Sequence, residues 1–129
     1  MKLITHKEFH ACEPRIISSI YLDKLEIDLR IKEHTEGGDR DIDRYEDKEG
    51  NEYLDDEPSD VISINGRLKI DSLHHNAYFH FEFFEVEDGY RGMIAVIFDK
   101  SSLKPDRHDY YSFANWCSIV SFMKEMNII

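Results

Sequence analysis

The sequence predicts an α+β fold: a mostly antiparallel sheet of about four to five strands, a C-terminal helix packed on one face, and a long acidic loop. Three observations predict it. Apolar residues alternate with polar ones in several short runs before residue 100, the signature of half-buried strands. They recur at helical spacing after Ser112. Between the first run and the rest lies Glu36 to Asp60, which has no apolar period. Strands followed by a helix fold as a sheet with the helix laid on one face. The 129 residues form one domain, 1–129, long enough to bury a core without disulfide or metal staples. An apolar content of 41% against 33% charged residues argues for that core and against global disorder.

Pro14 to Leu22 carries Ile16, Ile17 and Ile20, which fit a helical turn opened by Pro14 and equally fit a strand. Leu25, Ile27, Leu29 and Ile31 alternate with Lys24, Glu26, Asp28, Arg30 and Lys32, which predicts a strand with one wet face. Glu36 to Asp60 contains Gly37-Gly38, Gly50-Asn51 and Pro58, all turn or breaker residues, so it reads as a long loop, with room for a short hairpin or helical turn. Asn65-Gly66 is a hairpin signal, but parity opposes it. Ile62, Ile64, Leu68 and Ile70 share a face only if one strand runs straight through, with Gly66 marking a bulge. Tyr78 to Glu87 sets Phe79, Phe81 and Phe83 on one face, and Asp88-Gly89 turns the chain. Arg91 to Asp99 is apolar on both faces, as a central strand is. Lys100 to Asp109 reads as a loop. Ser112 to Met126 reads as a helix with Phe113, Trp116, Cys117, Val120 and Met123 in one stripe.

The net charge is −11, and Glu36 to Asp60 alone carries −9, with twelve acids against three bases. Such a field repels nucleic acid and anionic membrane and attracts basic proteins. The N-terminus turns polar at once, without the apolar run of a signal peptide, and the longest apolar stretch is Met93 to Phe98. Cys12 and Cys117 stand in no CxxC spacing. Together these predict a cytoplasmic protein in a reducing compartment.

No stretch carries a catalytic, cofactor-binding or metal-binding motif. Asp39-x-Asp41-x-Asp43 opens like a calcium loop, but Arg44 and Gly50 stand where its glycine and glutamate belong. His6 and His10 lie four apart without the glutamate a zinc protease places after the first histidine. Arg107-His108-Asp109 reads as a helix start with Asp109 favouring the dipole. His74, His75 and His80 form the richest histidine cluster, and His80 shares a strand face with Glu82, so a small enzyme using that region is the alternative reading. No nucleophile elbow or phosphate loop accompanies it, and the expectation is a protein that is not an enzyme and needs no cofactor or metal.

Small, acidic and poor in motifs over its whole length, the chain resembles the bacterial immunity proteins of polymorphic toxin and contact-dependent inhibition systems. The resemblance implies a cytosolic protein that binds a cognate toxin, commonly a basic nuclease, and blocks its active site. It carries over no residue roles. From the residues themselves, acids supply steering and tyrosines supply anchors. The expected partner-binding set is Asp39, Asp41, Asp43, Tyr45, Glu46, Asp47, Tyr53, Asp55, Asp56 and Glu57, with Tyr110 and Tyr111. The expected partner is a basic protein, with no direct contact to nucleic acid or membrane. A nucleic-acid mimic is a further alternative, and it requires acids on a stiff surface rather than in a flexible loop.

Overall fold

The structure, a computed structural model, describes residues 1–12, 14, 25–35, 41–57, 61–67, 78–97 and 107–129. In chain order these form β1 (Lys2–Ile4), α1 (His6–His10), β2 (Arg30–Thr35), β3 (Asp41–Glu46), β4 (Glu52–Glu57), β5 (Val61–Arg67), β6 (Tyr78–Val86), β7 (Gly89–Ile97), β8 (Arg107–Phe113) and α2 (Trp116–Glu125). The strands make one eight-stranded sheet in the order β1-β8-β7-β6-β5-β4-β3-β2. Every pairing is antiparallel. Strands β2 to β8 therefore follow one another as a meander, and β1 adds to its far side.

The register explains the two layers. Tyr53, Ile64, Phe81 and Ile94 stand opposite one another on neighbouring strands, as do Ile62, Phe83, Gly92 and Tyr111. These residues share a face, and α2 covers it through Ile119, Phe122 and Met123, with Ile128 beyond the helix. The Phe122 ring sits 5.2 Å from Phe81, 5.0 Å from Tyr111 and 5.6 Å from Phe113. Ring spacings of this order are those of favourable aromatic pairs. Gly92 has no side chain because a Cβ there would run into Phe113 and Phe81. On the opposite face α1 lays Phe9 against Phe84 and Tyr110, at 5.4 and 4.9 Å. A capping box holds that short helix: Thr5 Oγ1 accepts from Glu8 N, and Thr5 N donates to Glu8 Oε1.

Several expectations need correction. The sheet has eight strands, not four to five, although a helix on one of its faces was foreseen. The supposed loop 36–60 contains β3 and β4, joined by a tight turn at 47–51; residues 36–40 and 58–60 lie outside the described residues. The alternation of Leu25, Ile27 and Leu29 reports burial against the core, not a strand. Glu26 takes φ 55° and breaks the extended run, so β2 begins only at Arg30. At the other end, Arg107–Phe113 is β8 rather than a loop leading into a helix. Asp109 pairs with Ile94, and Phe113 with Tyr90, so Asp109 caps nothing.

Asn115 is the true N-cap of α2, its Oδ1 accepting from Ser118 N at 2.9 Å. The helix therefore starts later than expected. Its buried stripe is Ile119, Phe122 and Met123, and Cys117 faces solvent. Strand β5 does run straight through Asn65-Gly66, opposite His80 and Phe79, with no shift of register. Gly66 thus marks no bulge. A Cβ there would strike the Asn51 side chain, so the glycine makes room for a neighbour. Leu68, Ile70 and Ile16 to Leu22 lie outside the described residues.

Candidate interaction surface at the acidic end of the sheet

Strands β2, β3 and β4 form one end of the sheet, and β2 is its edge among the described residues. Residues 25–35 and 41–57 hold twelve acids against four bases. The turn between β3 and β4 is built on Asp47. Its Oδ1 accepts from Glu49 N and Asn51 N, both at 2.9 Å. Its Oδ2 accepts from Asn51 Nδ2 at 3.0 Å and from the Tyr53 hydroxyl at 3.1 Å. Gly50, at φ 86°, supplies the left-handed position the turn needs. Asn51 then spends its second amide proton on Ile128 O at 3.0 Å, tying the turn to the segment after α2. That segment is fixed in its own right: Asn127 adopts φ 58°, and Ile128 N donates to Met123 O at 2.8 Å. This left-handed ending buries Ile128 completely.

Ion pairs cross the outer strands. Arg30 reaches Glu46 at 2.9 Å, Lys32 reaches Glu52 at 2.7 Å, and Lys48 reaches Asp28 at 3.1 Å. The hydrogen bond between Lys32 and Glu52 raises the lysine and lowers the carboxyl from their ordinary pKa values. The β2–β3 register shifts between Ile31 and Glu33, and Ile31 is left 57% exposed.

The expected partner-binding residues meet different fates. Asp39 lies outside the described residues, and for Asp41, Asp56 and Glu57 the structure describes only strand positions, with Asp41 opposite Glu57. Asp43 stands opposite Asp55, which is only 2% exposed on the core face. Tyr45 stands opposite Tyr53 and is half-buried. Glu46 is engaged by Arg30, and Asp47 is the framework of the turn. Tyr53 and Tyr111 are core residues, and Tyr110 is buried beneath α1, so burial removes these three from the exposed anchors. Burial and the nearby Asp47 push the Tyr53 hydroxyl well above the ordinary tyrosine range. Gly50-Asn51 is read from the sequence as a turn; what that reading missed is Asp47 as its framework, although Asp47 with Gly50 three residues on is the pattern of a tight turn. That reading also missed a cleft beside the turn, lined by Ile27, Asp28, Asp47, Lys48, Glu49, Ile128 and Ile129.

Of the histidines considered for chemistry, His80 lies on β6, and His6 and His10 lie on α1. His80 Nδ1 lies 2.6 Å from Asn65 Oδ1, and its Nε2 lies 3.4 Å from Glu82 Oε2. His74 and His75 lie outside the described residues. The His6 and His10 rings lie 4.1 Å apart, inclined at 59°, beside Tyr110. Among the described residues no three metal-binding side chains converge, and no helix is long and apolar enough to cross a membrane. Comparison with protein-family models, with curated proteins and with solved structures found no match.

Proposed function

We propose that the chain is a protein-binding module of the immunity kind, a cytoplasmic protein that binds a basic toxin, a nuclease, and blocks its active site. The observation that carries this reading is the acidic end of the sheet, where eight of the twelve acids, against three of the four bases, ride on hydrogen-bonded strands rather than in a slack loop. Charge held in a fixed pattern orients an approaching basic surface as well as attracting it. Steering of this kind suits an inhibitor that must reach its target before the target finds nucleic acid.

The same observation supports a second reading, a nucleic-acid mimic that fills the groove of a DNA-binding protein. That reading requires acids on a stiff surface, and strands β3 and β4 provide one. The two part on what the partner does. In the first, a partner co-purified from the native cells cleaves nucleic acid, and adding the chain one-to-one abolishes cleavage. In the second, the partner binds DNA without cutting it, and the chain displaces the DNA. A partner that is acidic, or whose activity is untouched by saturating chain, overturns both.

A further inference from the structure

Resting on the reading of a basic protein partner, we propose that the cleft beside the β3–β4 turn is a socket for one long basic side chain of that partner, an arginine or a lysine. The cleft has an apolar floor, Ile27 and Ile129 backed by the buried Ile128, and an acidic rim, Asp28, Asp47 and Glu49. That pairing of surfaces matches a side chain whose stem is aliphatic and whose head is charged. Its volume of about 210 Å³ falls below the ~300–1,000 Å³ usual for small-molecule sites, so a single side chain fits it better than a cofactor.

The rim already holds a cation. Lys48 Nζ lies 3.1 Å from Asp28 Oδ2, and both side chains are about 80% exposed. An exposed pair of this kind contributes little to stability, so an incoming head group displaces Lys48 cheaply. Lys48 in effect occupies the place of the partner's cation in the free protein. The socket is also rigid. Asp47 is locked by four hydrogen bonds, Asn51 fastens the turn to Ile128, and Ile128 is fully buried. A fixed wall lowers the ordering cost of binding. Asp28 and Glu49 stand at exposed positions of the rim, where a head group would meet them, and Asp47 contributes its field.

The test is a nuclear magnetic resonance titration of the full chain with N-acetyl-arginine amide, its neutral isostere N-acetyl-citrulline amide, free guanidinium, and a tetra-arginine peptide. The arginine amide should shift the Ile27 and Ile129 methyls together with the Asp28 and Glu49 amides. Citrulline, which lacks the charge, and guanidinium, which lacks the stem, should each bind at least ten-fold more weakly at this site. The Asp28→Asn, Glu49→Gln double variant, altered only at exposed positions, should lose ten-fold or more for the arginine amide while its circular dichroism is unchanged. If guanidinium and arginine amide give the same shifts, scattered over the whole acidic surface and fading together with salt, the socket is wrong and the acidic-steering reading stands. If even tetra-arginine shifts nothing at low salt, that reading falls as well.

Discussion

Asp47 was expected among the partner-binding acids, yet four donors converge on its two oxygens. Two of those donors belong to Asn51 and one to Tyr53, which are 3% and 0% exposed. Leaving a buried donor without its acceptor costs about 1–3 kcal/mol. Asp47→Ala should therefore lower the unfolding free energy by about 2–3 kcal/mol, read as a lower urea midpoint; an unchanged midpoint would show that the network is not what holds the turn. The Tyr53 hydroxyl beside it has a raised pKa, first from burial and then from Asp47. The folded state thus holds this proton more tightly than the unfolded chain, whose tyrosines titrate near pH 10. The resulting stability is intact below about pH 10 and declines as pH rises above it. Tyr110 is shifted in the same direction, by burial and then by Glu82. Tyr53→Phe should accordingly flatten the alkaline limb of a stability-versus-pH curve without abolishing it. A limb as steep as that of the unaltered protein would assign the alkaline loss to other groups.

At the scale of elements, legibility followed how cleanly each face separated. Strand β6 was readable because Phe79, Phe81 and Phe83 face the core while Tyr78, His80 and Glu82 do not. Strands β3 and β4 were not, because Asp43 and Asp55 sit on the same face as Tyr45 and Tyr53, and a carboxylate at a core-facing position erases the apolar period. Leu25, Ile27 and Leu29 misled in the opposite sense, since a left-handed Glu26 buries alternate residues without strand pairing. In α2 two apolar stripes overlap at Met123, and packing on the sheet buries the one that carries Ile119 and Phe122. Substitution separates the two stripes. Phe122→Ala opens a cavity among Phe81, Tyr111 and Phe113 and should cost about 3–5 kcal/mol. Cys117→Ala, on the exposed face, should stay within about 0.5 kcal/mol. Equal effects in thermal unfolding would return Cys117 to the core stripe.

For the whole molecule, charge was the property the sequence displayed most openly, and the body that carries it was the least visible. The acids of residues 41–57 looked like a solvated loop because turn residues flank them; strand pairing in β3 and β4 makes them part of the sheet. This changes which acids can steer. Asp55 is buried, Asp47 is committed to the turn, and Glu46 and Glu52 already hold Arg30 and Lys32. Glu26, Asp28 and Glu49 stand at exposed positions, Asp28 in a weak surface pair with Lys48. Exposed carboxylates act over distances set by the ionic atmosphere, about 10 Å at 0.1 M salt and about 3 Å at 1 M. They change the rate of encounter more than the lifetime of the complex. Replacing Glu26, Asp28 and Glu49 with Gln, Asn and Gln should therefore slow association with a basic partner several-fold at low salt. The difference should shrink toward nothing near 1 M. The effect on dissociation discriminates further: if Asp28 and Glu49 also grip a basic side chain in the cleft, dissociation quickens too, and that part survives high salt. Association as fast as that of the unaltered chain at low salt would mean that the acidic end of the sheet does not face the partner.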